Sequence, residues 1–237
     1  MTEPIMTDQT IVKKSLGIAI CAYKGHIPQL KTAFDSIEQQ TRKPDMVIVS
    51  CSSSEQSDIP YKASMYSFPL MIITHRDKKN AAQNRNFAAA LLQTDIVSFF
   101  DADDIMHPQR LQIIEDCFIR HNVKIFLHNT TQYRKENRGF YPLYSEHPYI
   151  LNLLGRCYYG TTMLNTHQDN MLIANGHVSV SADVLKGIQF NDTSEYYTRE
   201  DTKFCTDVII AYHDRTAYCN NILSYYIPSG TGGYLCE

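Results

Sequence analysis

The sequence predicts a doubly wound α/β layer, a single domain on a mostly parallel sheet. Three observations predict it. Short runs that are apolar throughout alternate with stretches of helical spacing over roughly the first 125 residues, the pattern of strands covered on both faces. The 237 residues are 43% hydrophobic and 20% charged, enough for one substantial core. No linker rich in Pro, Gly or Ser divides the chain, and no internal repeat is present.

The elements follow in order. LGIAICAY (16–23) is an apolar run of strand length. Pro28 opens a helix at its first turn, with Leu30, Ala33, Phe34 and Ile37 at helical spacing. MVIVS (46–50) is the second strand, followed by the serine-rich turn CSSSE, and LMIITH (70–75) is the third. Alanine and leucine favour a helix through NAAQNRNFAAALLQ (80–93). DIVSFF (95–100) is the fourth strand. Pro108 opens a helix faced by Leu111, Ile114 and Phe118, and VKIFLH (123–128) is the fifth strand.

Residues 129–175 are polar, tyrosine-rich and weakly periodic. HVSVSADVLKG (177–187) reads as a strand and a short helix closed by Gly187. A helix from about Glu200 to Tyr212 and a late strand over 216–227 complete the pattern. In such sheets ligands bind beyond the carboxyl ends of the strands. That directs attention to Ala22–Lys24, Ser50–Glu55, His75–Asp77 and Asp101–Asp104.

Composition excludes several classes. A net charge of −3 gives no general grip on nucleic acid or on an anionic membrane. No window holds 18 uncharged apolar residues, so no membrane span is expected. The start, MTEPIMTDQTIVKK, lacks the apolar core of a secretory signal. Seven scattered cysteines, an odd number without Cys-x-x-Cys, read as reduced thiols in a cytoplasmic protein. The nine histidines show no His-x₃-His or Cys/His cluster, so a zinc site is not expected.

The segment FFDADD (99–104) crowds three carboxylates against the end of a buried strand. Such charges repel one another, and a divalent cation is the simplest counterweight. If the strand runs on, Asp101 and Asp103 point the same way, since residues two apart share a face. Mg²⁺ or Mn²⁺ suits oxygen ligands of this kind together with a substrate phosphate. The plain alternative is a solvated acidic loop in which Asp103 or Asp104 caps the next helix. Arg85, on the helix leading into the acidic strand, is placed to grip a phosphate bidentately. In TREDTKF (198–204), Glu200 and Asp201 open a helix, where acids are favoured in any case.

Taken in order, IAICAYK, VIVSCSSSE, NAAQNRNFAAA, FFDADDIMHP and REDTKF resemble the family 2 glycosyltransferases of the GT-A fold, over about residues 16–212. The resemblance implies a nucleotide-sugar-binding half at about 16–128 and an acceptor-binding half at about 129–227. It implies Asp103 as metal ligand. Asp101 would contact the ribose, or the cation through water. Ala22, Tyr23, Ser50, Arg85 and Ala102 would line the donor site, Tyr23 against the base. Asp201 matches the general base, with Glu200 beside it in the acceptor site. The expected activity is inverting, metal-dependent transfer from a nucleotide sugar, a UDP-sugar above others, to a saccharide or other hydroxyl acceptor. Ser50 and Cys51 stand where the family usually has an aspartate for uracil, a departure that bears on the base. The family's late His or Arg is replaced by YYIPSGTGG, a closing lid or a frayed end.

His177 lies either near the acceptor or in ordinary packing. The tyrosines of YPLYSEHPY (141–149), with Tyr158 and Tyr159, form a sugar-stacking surface or packing contacts. Two other functions stand beside the transferase. A sugar nucleotidyltransferase wants a glycine-rich basic loop after the first strand, which CAYKGH supplies poorly. A non-catalytic binding module has no need of all four acids.

Overall fold

The computed structural model describes residues 13–132, 143–144, 149–151, 175–196 and 199–227. In chain order its strands are β1 (Leu16–Tyr23), β2 (Met46–Ser52), β3 (Leu70–His75), β4 (Ile96–Asp101), β5 (Ile105–Met106), β6 (Ile125–Gln132), β7 (Tyr149–Leu151), β8 (Ser179–Ser181) and β9 (Thr216–Tyr226). Its helices are α1 (Leu30–Glu38), α2 (Ala81–Ala90), α3 (Arg110–His121) and α4 (Glu200–Ala211). One sheet joins the strands in the order β3-β2-β1-β4-β8-β6-β9-β5, with β7 also paired to β9. β1 to β4 are mutually parallel, and β6 is parallel to β9. β8 runs antiparallel between β4 and β6, and β5 and β7 run antiparallel along β9.

The apolar runs are central because both their faces are covered. From β1, Leu16, Ile18, Ile20 and Ala22 pack with Phe34 and Ile37 of α1 and with Leu111 and Ile114 of α3. Ala19 faces the other way, into the layer of Ala82 and Ala88 from α2 and Phe204 and Val208 from α4. The alternation of the strand therefore sorts the helices, α1 and α3 on one face, α2 and α4 on the other.

Arg110, on α3, is fully buried in this core. Its hydrogen bonds among the described residues go to Ser98 Oγ (2.9 Å), the Phe99 carbonyl (3.2 Å), the His177 carbonyl (2.7 Å), His128 Nε2 (3.1 Å) and Met106 Sδ (3.9 Å), all neutral acceptors. Burial pushes its pKa down to about 9, with Asp101 opposing.

The boundaries differ from the sequence reading in a few places. β2 continues two residues past Ser50, and Pro28 and Pro108 each lie two residues ahead of their helix. The two-residue β5 and three-residue β7 are too short for a periodic signal. Among the described residues no helix is long and apolar enough to cross a membrane. Cys21, Cys51, Cys117, Cys205 and Cys219 are buried and unpaired with one another. Tyr144 packs on His107 and bonds the Ile222 backbone, an ordinary packing role. Tyr141, Tyr158, Tyr159 and the loop 228–233 lie outside the described residues.

Candidate active site

The carboxyl ends of β1, β2 and β4 meet the starts of α2 and α4. Asn80 fixes the phase of α2: its side chain accepts from the Gln83 amide at 2.8 Å, and Gln83 Oε1 accepts from the Asn80 amide at 3.1 Å. That phase turns Asn84 and Arg85 inward, where both are buried.

Arg85 joins two distant parts of the chain. Nη2 donates to Asp101 Oδ1 at 2.7 Å, and Nη1 donates to Glu200 Oε1 at 2.6 Å. The guanidinium lies over the Phe190 ring, 5.3 Å from its centroid. Both of its outer nitrogens are thus committed to carboxylates. The structure thus shows Arg85 bridging two carboxylates, with a second N–H left on each outer nitrogen. Burial alone would raise the Asp101 carboxyl, but Arg85, aided by His177, holds it below the usual range. Cys21 Sγ lies 3.5 Å from the same Asp101 oxygen, and burial pushes that thiol up to about 12.

The acidic motif is not a continued strand. β4 stops at Asp101, and Ala102 and Asp103 form a turn. Asp101 and Asp103 therefore do not share a strand face, as strand alternation predicted. The alternation fails because the backbone leaves the sheet between them. Asp103 is half-buried, and burial together with Asp104 and Asp101 pushes its carboxyl above the usual range.

Asp104 is buried. Its Oδ1 accepts from the Ile227 amide at 2.8 Å, while Oδ2 lies 3.0 Å from His177 Nε2. Burial raises this carboxyl as well, with His177 opposing. His177 Nε2 also lies 3.6 Å from Asp101 Oδ2. Despite the 3.0 Å approach, Nε2 is buried with no hydrogen-bond partner, since Asp104 is off the direction in which a ring N–H donates. Oxygens of Asp101 and Asp104 and a His177 nitrogen lie within 4.8 Å of one another. Two carboxylates and an unsatisfied imidazole nitrogen fit a divalent cation. Asp103 falls outside this group of three. Gly176 is required here: a Cβ on it would stand 2.6 Å from Asp101 Oδ2 and 3.2 Å from Arg85 Nη2.

Beside the acids a cleft of about 330 Å³ opens between the ends of β1 and β2 and the start of α2. Ala22, Tyr23, Ser52, Ser53, Lys79 and Asn84 are among its walls. Tyr23 is half exposed and packs edge-on against His26, ring centroids 4.2 Å apart. Ser50 is a correction. It is fully buried two residues short of the tip of β2, and its hydroxyl bonds Asn84 Oδ1 and His75 Nε2. Asn84 Nδ2 in turn donates to the Ala22 carbonyl (3.2 Å) and to Ser52 Oγ (3.1 Å), tying β1 to β2 beneath the cleft.

The two acids of α4 differ. Glu200 is buried and bound to Arg85. Asp201 is half-buried, with Oδ1 accepting from the Thr202 amide at 2.6 Å. The structure thus gathers Tyr23, Ala22, Arg85, Asp101, Ala102, Asp103, Glu200 and Asp201 around one end of the sheet. Sequence reading passed over Asn84, Gly176 and Cys21, covered Ser52 only within the stretch Ser50–Glu55, and left Asp104 and His177 without a ligand role. An asparagine one position before Arg85 was the available signal for the first. Asp104 and His177 are 73 residues apart, beyond any local motif.

The fold and this grouping define a transferase-type α/β domain with its polar site at the carboxyl edge. The chain belongs to glycosyl transferase family 2, whose profile matches residues 17–187. Glu200 and Asp201 lie beyond the matched segment. An uncharacterized glycosyltransferase of Haemophilus influenzae is 29% identical over 131 residues, covering 53% of this chain and 42% of that protein. S. aureus TarS 1–349, in complex with UDP, superposes with a TM-score of 0.66 at 18% identity, over 93% of this chain and 62% of that one. The mannosyltransferase PcManGT of Pyrobaculum calidifontis, in complex with GDP-Man and Mn²⁺, gives 0.56 at 16% identity, over 87% and 57%. The chain therefore spans less than two thirds of the length of these proteins, and the likenesses to solved structures establish the shared GT-A fold.

Proposed function

We propose that this chain transfers a glycosyl group from a nucleoside-diphosphate sugar, with a UDP-sugar favoured, to a hydroxyl acceptor, with inversion at the anomeric carbon. The observation that carries the reading is the Arg85 bridge. It binds Asp101 at the tip of β4 to Glu200 at the head of α4, which supports reading their chain neighbours Asp103 and Asp201 as two sides of one centre. Family membership and the nucleotide sugars held by similar folds support the donor class.

In this reading the cleft of Ala22, Tyr23 and Ser52 receives the nucleoside, and the diphosphate lies toward the acidic turn. A divalent cation, Mn²⁺ or Mg²⁺, held by Asp101 and Asp103 would offset the charge that develops on the leaving diphosphate. The acceptor hydroxyl is a weak nucleophile and needs a base within reach. Glu200 is spoken for by Arg85, so Asp201 takes the proton. Arg85 acts as a positioning residue that holds Asp101 and the start of α4 in register. One carboxylate on the acceptor side suffices for single displacement.

The test is hydrolysis and transfer with a panel of nucleotide sugars in Mn²⁺, for the wild type and Asp201→Asn. Asp201→Asn should abolish transfer and leave donor affinity, read by calorimetry, within about threefold, since only the proton acceptor is lost. Donor affinity falling as steeply as rate would remove Asp201 from the role of base.

A further inference from the structure

We propose that the open edge of β3 joins two copies of this chain, paired antiparallel about a two-fold axis at Ile72, so that one sheet runs across the dimer. The inference is independent of the transferase reading.

The first argument is the unpaired backbone. β3 ends the sheet on one side, with β2 as its neighbour among the described residues. The Val47 amide donates to the Pro69 carbonyl at 2.8 Å, and Val47 stands opposite Leu70. Along a strand, alternate residues bond to the same neighbour. Met71 and Ile73 therefore bond β2, and Leu70, Ile72 and Thr74 turn their N–H and C=O groups outward. Among the described residues no backbone group pairs with those outward groups. The usual safeguards of an edge are missing as well. Between Pro69 and Arg76 the strand has no lysine, carboxylate, proline or bulge.

The second argument is symmetry. With Ile72 opposite Ile72 of the second copy, Leu70 of each copy meets Thr74 of the other. Outward residues then face outward residues throughout, and every free N–H and C=O gains a partner. A slip of one residue would set outward groups against inward ones and turn the side chains to the wrong faces.

The third argument is what flanks the strand. On the α2 face, Met71 is 46% exposed, and Phe87 (37%) and Leu91 (44%) line the same side. The rings of His75 and Phe87, 4.4 Å apart, set that helix alongside the edge. In the paired register Met71 lies opposite Ile73 of the second copy, so the apolar strip is covered. The ends carry opposite charges. Arg76 follows the strand, while the Glu38 carboxylate accepts from the Ser67 amide at 3.1 Å, just ahead of it. Antiparallel pairing sets Arg76 opposite Phe68 of the second copy, beside that Glu38, and does so at both ends of the junction. The present partner of Arg76 is Glu55 at 3.1 Å, an exposed pair that holds it weakly. This charge order selects a second copy over an arbitrary extended peptide.

The experiment is sedimentation equilibrium of the full chain over a wide concentration range, with residue-resolved amide exchange by NMR at both ends of the range. Expected is a dimer that builds up with concentration, and with it slowed exchange at Leu70, Ile72 and Thr74, whereas Met71 and Ile73 are slow throughout. Met71→Lys adds the charge that natural edges carry, and should weaken the dimer by more than about tenfold. Arg76→Glu should weaken it too, and adding Glu38→Arg should restore it, so this exchange decides the matter if Met71→Lys does not fold. A chain that is monomeric at every concentration would overturn the proposal. So would a dimer whose three outward amides exchange as in the monomer, or one that the charge exchange fails to restore. Slow exchange of those amides in the monomer would overturn it as well, since another segment of the chain would then cover the edge. None of these readouts depends on sugar transfer, so this proposal and the proposed function fail separately.

Discussion

Replacing Arg85 with Met should destabilise the protein in a pH-dependent way. The guanidinium makes two charge-assisted hydrogen bonds, 2.7 Å to Asp101 and 2.6 Å to Glu200. Its removal strands two carboxylates whose side chains are 30% and 11% exposed. Breaking a buried ion pair from one side costs about 3–5 kcal/mol. The partial exposure of Asp101 lets water screen part of this, so about 3 kcal/mol is the expected loss at pH 7. For a chain of this length that is a fall of about 6–12 °C in Tm.

The pH dependence has a definite sign. In the wild type Arg85 holds the Asp101 carboxyl below its usual range. That carboxyl adds stability above its unfolded value of about 3.9 and loses it as pH falls through the lowered folded value. In Arg85→Met burial loses its main opponent, with His177 still acting against it, and the carboxyl rises, so protonation relieves the variant. The gap between variant and wild type should be widest near pH 7 and close as pH falls toward about 4. Urea unfolding across that range measures it. A variant as stable as wild type at pH 7, or a deficit that stays constant with pH, would refute the reasoning.

Gly176→Ala places a methyl 2.6 Å from Asp101 Oδ2, and should cost about 1–3 kcal/mol with weakened Mn²⁺ binding, read by thermal unfolding and calorimetry. Asn84→Ala removes the tie between Ala22 and Ser52 and the acceptor of the buried Ser50 hydroxyl, so about 1–3 kcal/mol of stability and part of the nucleotide affinity should go together. Asp103→Asn relieves the repulsion and burial that raise this carboxyl, and should stabilise the metal-free protein by about 1 kcal/mol at pH 7, with the gain vanishing at low pH.

Much of the fold was legible because its strands are buried on both faces. Runs such as LGIAICAY and DIVSFF carry that burial in their composition, and they became β1 and β4 with boundaries moved by a residue at most. The site was legible where it lay in short motifs. Arg85, Asp101, Asp103, Glu200 and Asp201 stood out for that reason. What was hidden depends on where a strand stops. A strand carried through Asp103 would set Asp101 and Asp103 on one face, whereas β4 stops at Asp101, and β2 runs on to Ser52, which leaves Ser50 in the core. Fields were hidden as well. Arg85 read as a free cation because its partner on α4 lies 115 residues away. His177 read as either an acceptor-side residue or ordinary packing because nothing in its neighbourhood of sequence shows two carboxylates beside it.

The three-residue β8 has a mechanical consequence. In the order of the sheet, among the described residues, it stands between the β3-β2-β1-β4 slab and β6, with three paired positions on one side and two on the other. Ser179 Oγ donating to Ser98 Oγ, with Arg110 on the same hydroxyl, stiffens that narrow joint. The cleft lined by Ala22, Tyr23 and Ser52 belongs to the first slab, whereas α4 leads through one short turn into β9. Swinging one slab against the other would therefore open or close the gap between cleft and Asp201, and the clasp of Arg85 on Glu200 is what holds that gap at one width.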